Sequence, residues 1–264
     1  MMLGANPSIV DRRVLGAVEL ADGATGERIT APMVFKSDLL GFVRNRAGLY
    51  AINRVAARTA QEKALRAHLS AFEAAPGGLA DGAVAVDVTI EDPTRRYVPR
   101  MLSLALPRGA QTGTPIRAEM YPGAAAPVGQ NWSGLRMALR RRAGSDEVPL
   151  AGARITLLRD SDDAELGRGY TDIRGEALVI AVGIPVIDFT TDTGTSPSAL
   201  VGTKKVTARI EVHTGPGQAW PPNPEAIETS GQAWVPDSGT LPKPELATGS
   251  ILSAGLSFLM KPQP

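Results

Sequence analysis

The sequence predicts an all-β protein made of two tandem β-sandwiches, with one short helix and an extended proline-rich arm at its C-terminal end. Three observations support this prediction. Apolar residues recur at every second position in many short segments, Gly and Asp cluster between those segments, and proline becomes frequent after Thr214. Alternation with period two is typical of a strand with one buried face, whereas proline disfavours helix interiors and central strands.

The first sandwich is predicted over residues 1–107. Its clearest strand is 84–90, in which valine and isoleucine alternate with smaller or polar residues. Leu102, Leu104 and Leu106 repeat the pattern before Pro107 ends it. Further candidate strands, separated by turn signals such as Asp-Gly, are 12–20, 28–35, 39–43 and the segment after Gly48.

One segment of this sandwich has a helical pattern, from Thr59 to Glu73. Thr59 and Glu62 fit a capping box, in which each side chain accepts a hydrogen bond from the backbone of the other residue. Leu65, Leu69 and Phe72 then fall on one helical face. We expect a short helix that lies across a sheet or an open end of the sandwich.

A linker is predicted over residues 108–130, because turn formers cluster there and no periodic pattern crosses the whole stretch. The second sandwich follows over residues 131–213. Alternating Leu135, Met137 and Leu139 open it, and the alternating segment 206–212 closes it. The Thr-, Ser-, Asp- and Gly-rich stretch 183–205 is predicted to be a long exposed loop.

Three strands and two marked turns are predicted between Val148 and Pro185. The strings P-L-A-G-A-R-I-T-L, G-Y-T-D-I-R-G-E-A-L and G-I-P within this stretch resemble the carboxypeptidase-regulatory-like, or prealbumin-like, β-sandwich family. This resemblance implies an Ig-like or prealbumin-like antiparallel sandwich. It implies almost nothing about function, because such sandwiches serve many roles.

Residues 214–264 are predicted to form an extended assembly arm that docks on partner chains. The string G-Q-A-W occurs twice in this arm, and its last part is apolar with few charges, so it should pair or pack with another surface. The two tryptophans are interpreted either as platforms for sugars or as anchors in a neighbour's pocket. The candidate partner-binding residues of the arm are Trp220, Trp234, Ile251, Leu252, Leu256, Phe258 and Leu259.

The composition narrows the possible partners and compartments. Lys and Arg number 28 against 27 Asp and Glu, so no global charge favours nucleic acid or an anionic membrane. There is no cysteine, which excludes disulfides and thiolate metal sites. No apolar run is long enough to cross a membrane, and the N-terminal residues do not resemble a signal peptide. We expect a cytoplasmic protein, unless it leaves the cell as part of a particle.

No catalytic, cofactor or metal site is predicted. His68 and His213 lie in no recognisable motif, and no nucleophile elbow, phosphate-binding loop or dinucleotide fingerprint occurs. The carboxylates between Asp160 and Glu165 suit a hard cation such as calcium, but their spacing does not match a calcium loop. An ordinary hydrated turn is the preferred interpretation.

Two clusters of arginine are candidate contacts for phosphate or for an acidic partner surface, with a solvated face as the alternative. The first is Arg140, Arg141 and Arg142, close to Arg136. The second lies in the string D-P-T-R-R-Y-V-P-R and comprises Arg95, Arg96 and Arg100.

Several strings in residues 39–185 resemble a family of bacterial proteins of contractile injection systems, the phage-tail-like particles. They are L-L-G-F-V-R-N-R-A-G-L-Y, D-P-T-R-R-Y-V-P-R with L-A-L-P-R, and Y-P-G-A-A-A-P-V-G-Q-N-W-S. The resemblance implies a non-enzymatic structural subunit, such as a terminal cap or adaptor. Its expected partners are tube, sheath or cap proteins and further copies of itself. The alternative function is a carbohydrate-binding or adhesive module that uses Trp220 and Trp234.

Overall fold

The computed structural model describes residues 14–56, 58–70, 83–108, 113–184, 205–253 and 257–263. The protein is all-β, as the alternating sequence pattern predicts. The chain divides into two compact units, each assembled from separate stretches. Unit 1 takes the described parts of Met1–Leu20, Phe35–Val88 and Ser103–Ala118, and unit 2 takes those of Ala21–Val34, Thr89–Leu102 and Glu119–Pro264.

Among the described residues before position 121 there are seven short strands, and they belong to two sheets. One sheet has the order β3-β4-β1-β7 and the other has the order β2-β5-β6. Along β5 the residues Val86, Val88 and Ile90 are buried in alternation, as the sequence pattern predicts. The strands are β1 (Ala17–Asp22), β2 (Val34–Lys36), β3 (Leu40–Arg44), β4 (Tyr50–Val55), β5 (Val84–Glu91), β6 (Arg100–Leu106) and β7 (Ile116–Met120).

Helix α1 (Ala60–Ser70) lies in unit 1 and packs against β4. The predicted capping box is present: the Glu62 amide donates to Thr59 Oγ1 at 3.2 Å, and the Thr59 amide donates to Glu62 Oε2 at 3.1 Å. Leu65 is fully buried, and Leu69 is half-buried. Phe72, the third apolar residue of the predicted face, lies outside the described residues.

Unit 2 is built around a ten-stranded sheet whose main order is β11-β10-β13-β14-β17-β8-β12. β15 also pairs with β13, and β9 and β16 pair with β8. The inward-facing residues form one apolar core that includes Leu139, Ile155, Val179, Val212 and Trp234. The strands are β8 (Ser133–Ala143), β9 (Asp146–Pro149), β10 (Arg154–Arg159), β11 (Glu165–Tyr170), β12 (Glu176–Ala181), β13 (Lys205–Thr214), β14 (Gln232–Pro236), β15 (Glu245–Ala247), β16 (Ile251–Leu252) and β17 (Ser257–Pro262).

The C-terminal region differs from the predicted extended arm, because its described residues fold into unit 2. β14 pairs with β13, and β17 lies between β14 and β8, where it runs parallel to β8. Helix α2 (Pro224–Ser230) was not predicted. Two of the prolines occupy element ends, where a missing amide costs little, because Pro224 begins α2 and Pro236 ends β14.

The predicted linker 108–130 is partly structured. It contains β7, and residues that follow β7 cover the outer face of β12. Ala126 packs there with Leu178 and Ile180, supported by Val128 and Trp132. Both faces of β12 are therefore buried, which explains why its sequence is apolar throughout rather than alternating. Residues 185–204, most of the predicted exposed loop, lie outside the described residues.

Two glycines allow β11 to approach β12 closely. A methyl group on Gly169 would lie 2.7 Å from the Leu178 carbonyl oxygen, and one on Gly167 would overlap the Ile180 carbonyl. Only glycine fits at such distances. The alternation G-R-G in β11 is thus a packing requirement of the sandwich.

No helix in the described part of the chain is both long and apolar enough to cross a membrane.

Candidate functional site

The predicted partner-binding residues of the C-terminal region contribute mainly to the chain's own fold. Trp234 is 4% exposed, and its indole nitrogen donates to Thr214 Oγ1 at 2.9 Å within the core. Trp220 is half-buried against the cluster of Val98, Tyr121, Tyr170 and Ile227. The other described members are half-buried on the short strands β16 and β17, and are Ile251, Leu252, Phe258 and Leu259. Leu256 lies outside the described residues.

Arg140, Arg141 and Arg142 lie on the last part of β8, so successive side chains point to opposite faces of the sheet. The guanidinium of Arg142 pairs with Asp237 at 3.3 Å, and that of Arg140 donates to the Glu147 carbonyl at 3.5 Å. The three residues therefore form no common patch.

The acidic turn between β10 and β11 is held by ion pairs. Asp160 pairs with Lys243 at 2.8 Å, Asp162 with Arg159 at 3.0 Å and Asp163 with Arg209 at 2.8 Å. The described residues contain no group of acidic or histidine side chains that could hold a metal ion. These carboxylates accordingly fix the turn to its surroundings.

Loops of unit 2 are joined into a compact surface, which we call the loop platform and which comprises residues 22–26, 92–97 and 121–126. Asp92 orders the middle loop. Its Oδ1 accepts from the Thr94 amide at 2.8 Å, and its Oδ2 accepts from the Arg96 amide at 2.9 Å and the Tyr97 amide at 3.2 Å. Asp92 is only 7% exposed, so these bonds form largely out of water, where they are strong.

Asp22 connects the first loop to the second. Its Oδ1 accepts from the amides of Ala24 and Thr25 at 2.9 and 3.1 Å, and its Oδ2 accepts from the Tyr97 hydroxyl at 2.8 Å. Burial, together with this bond, raises the pKa of Tyr97 above its usual range. The hydroxyl therefore stays protonated and keeps donating to Asp22.

The third loop is attached through the backbone. Gly123 donates to the Arg96 carbonyl at 2.8 Å, Val98 donates to the Tyr121 carbonyl at 2.9 Å, and Tyr97 forms an isolated bridge with Pro122. A methyl group on Gly123 would lie 3.4 Å from the Arg95 carbonyl oxygen, so the loops are in van der Waals contact.

The platform presents Arg95 and Arg96 to solvent. Both are exposed, and Arg95 has a positive φ of 58°. The guanidinium of Arg96 lies 5.7 Å from the centre of the Tyr97 ring, a cation–π distance. Neither arginine forms an ion pair with a carboxylate in the described ranges.

Arg100, the third arginine of the same string, has a different role. It is 4% exposed and donates to the Glu119 carbonyl at 2.9 Å and to Glu225 Oε2 at 2.7 Å. Its charge is thus neutralised internally by α2. The sequence grouped the three arginines, and the structure leaves Arg95 and Arg96 available to a partner.

A second feature of unit 2 is a cleft beside β13. β14 and β15 pair with the same edge of β13, and residues 237–244 between them leave the sheet. The resulting β13 cleft has a volume of about 470 Å³. Its lining includes Ile210, Val212, His213, Trp234, Leu241 and Lys243.

No protein-family model and no curated protein matches the sequence. Among solved structures, the crystal structure of GBS52, the minor pilin of Streptococcus agalactiae, aligns with 94% of this chain and 98% of its own, with a TM-score of 0.25 and 8% identity. The Bacillus anthracis TIE protein aligns with 95% of this chain and 34% of its own, with a TM-score of 0.21 and 11% identity. Likeness at this level carries no argument about function.

Proposed function

We propose that this chain is a non-enzymatic structural subunit of a bacterial contractile injection particle, a terminal cap or adaptor that contacts tube or sheath proteins. The loop platform is the observation that supports this proposal. It joins parts of two strings on which the family resemblance rests, D-P-T-R-R-Y-V-P-R and Y-P-G-A-A-A-P-V-G, which residues 101–120 separate in the sequence.

The platform suits an assembly surface because its shape is fixed before binding. Buried Asp22 and Asp92 hold the loops, so little conformational entropy is lost when a partner docks. Arg95 and Arg96 offer planar donors that match carboxylates in two-point contacts. The partner surface that fits is therefore an acidic face of a neighbouring subunit.

The test is a charge reversal on a tagged chain in its native cells. Arg95→Glu combined with Arg96→Glu should lower incorporation into particles by about tenfold or more, because like charges placed together at an interface cost several kcal/mol. The matched control is Arg66→Glu, which reverses an exposed arginine on α1. Incorporation is measured by quantifying the chain in purified particles.

Two results would contradict the proposal. One is recovery of the tagged wild-type chain as a free monomer without tube or sheath proteins. The other is equal incorporation of the double variant and the Arg66→Glu control, which would exclude the loop platform as the contact.

Carbohydrate binding stays a prediction, and the structure reduces the residues available for it. Trp234 is buried with its indole nitrogen already bonded, so it offers no free face to a sugar. Trp220 retains partial exposure. The absence of binding by the purified protein on a glycan array would count against this alternative.

A further inference from the structure

Three polar residues form a row across neighbouring strands of unit 2. Tyr170 on β11 is the register partner of Arg154 on β10, and Arg154 is the register partner of His213 on β13. Residues directly opposite one another in a sheet project from the same face. The three side chains therefore share one face, opposite to the apolar core that contains Ile155 and Val212.

Each member of the row carries a buried polar atom that has no hydrogen-bond partner among the described residues. These atoms are Tyr170 Oη, Arg154 Nε and His213 Nδ1. Tyr170 is 1% exposed, so water cannot satisfy its hydroxyl freely. Buried polar groups in proteins nearly always have partners, and three neighbouring exceptions indicate a site for a polar ligand.

The row also contains an unmatched positive charge. Nearby Arg100 pairs with Glu225, and nearby Arg168 pairs with Glu165 and Glu228. Arg154 forms no ion pair within the described ranges, although its charge acts on both Tyr170 and His213. A half-buried guanidinium without a counter-ion is costly, and an anion would remove that cost.

All three groups can act as donors. Burial raises the pKa of Tyr170 to about 12, so its hydroxyl is protonated at neutral pH. Burial and then the charge of Arg154 lower the pKa of His213, which keeps the imidazole neutral, with Nδ1–H available in one tautomer. His213 lines the β13 cleft and is only partly buried, so the row is accessible to solvent at this end.

We propose that Arg154, Tyr170 and His213 bind an oxyanion group, a carboxylate or a phosphate or sulfate, on the outer face of the β11-β10-β13 sheet. The site is independent of the loop platform and of the proposed assembly function. Its ligand is defined by charge and by the capacity to accept several hydrogen bonds at once.

The experiment is an NMR titration of the ¹⁵N-labelled full chain with sodium phosphate, sodium sulfate and sodium malonate, with sodium chloride at equal ionic strength as reference. We expect a saturable shift of the Arg154 Nε–Hε signal with at least one of the three anions. Saturation by phosphate or sulfate alone would assign an inorganic oxyanion, and saturation by malonate would assign a carboxylate. Both results support the site.

The variants separate specific binding from general salt effects. Arg154→Gln should abolish the saturable shifts, followed on the His213 ring signals. Tyr170→Phe should weaken binding by about tenfold, as expected for one hydrogen bond to a charged group, and it removes only an unpartnered hydroxyl, so the fold should persist. Arg209→Gln is the control, because Arg209 pairs with Asp163 and Glu211.

The proposal is overturned when no anion gives a saturable shift in the wild type. It is also overturned when Tyr170→Phe binds the anion with the same affinity as the wild type and the Arg209→Gln control.

Discussion

Two buried tyrosine hydroxyls differ in what they contribute to stability. Tyr97 donates to Asp22 at 2.8 Å, whereas the Tyr170 hydroxyl has no partner in the described part of the chain. Tyr97→Phe should lower the free energy of unfolding by about 1–3 kcal/mol, because it leaves a buried carboxylate oxygen without its donor. Tyr170→Phe should leave the free energy of unfolding unchanged or raise it.

Urea unfolding of the two variants and the wild type checks this difference. Equal effects of both substitutions would show that the Asp22–Tyr97 bond does not stabilise the loop platform.

The glycines of β11 are a second residue-scale case. Gly169→Ala places a methyl group 2.7 Å from a backbone oxygen of β12, so one of the two strands must move. We expect the free energy of unfolding to fall by about 1–3 kcal/mol, as for other overpacked sites. Gly113→Ala is the matched control, because nothing lies within 4 Å of the added methyl group. Differential scanning calorimetry should show a lower Tm for Gly169→Ala alone.

At the scale of elements, the N-terminus of α1 links stability to pH. Hydrogen bonds from the Arg58 and Thr59 amides lower the pKa of Glu62 below its ordinary value of 4.5. The stabilisation by this carboxylate is therefore present above pH 4.5 and is lost as the pH falls through the lowered pKa. Glu62→Gln should remove that part of the pH dependence.

The measurement is the unfolding free energy of wild type and Glu62→Gln between pH 7 and pH 3. The difference between the two should shrink as the pH falls. A difference that stays constant over this range would show that Glu62 does not cap α1 as a carboxylate.

The elements predicted from sequence were those with strong local patterns. β5, β12 and the capping box of α1 are set by neighbouring residues, so they could be found without tertiary information. Helix α2 carried a readable signal that was missed, since Asn223 caps it and Pro224 begins it. The many prolines around this signal suggested an extended arm instead.

The loop platform could be predicted only in part. The arginines of its middle loop are visible in the sequence, but burial separates Arg100 from Arg95 and Arg96. Asp22 and Tyr97 meet across a long sequence distance, and a single sequence does not reveal such a pair. The row of Tyr170, Arg154 and His213 likewise depends on strand register.

At the scale of the whole molecule, β17 completes the sheet of unit 2. Met260 is 1% exposed and belongs to the core. Met260→Ala should therefore lower the free energy of unfolding by about 2–5 kcal/mol. Lys261→Ala, at the next position, removes a half-exposed side chain and should cost little. Chemical denaturation of both variants measures the difference. Similar midpoints would show that β17 is not a structural strand.

This role of β17 changes how truncations are interpreted. Removal of residues 250–264 would open the sheet between β14 and β8, so loss of particle incorporation would reflect unfolding. Surface substitutions such as those at Arg95 and Arg96 are therefore the better probes of assembly.

The position of β17 in the sheet also affects the order in which paired strands become available during translation. β8 is translated well before its parallel neighbours β16 and β17, which come last among the strands of the described residues. The nascent chain must therefore carry β8 with one unpaired edge until residues 251–262 have been translated. We expect chaperones that shield open strand edges to engage this chain during synthesis, and to release it once β17 has paired with β8.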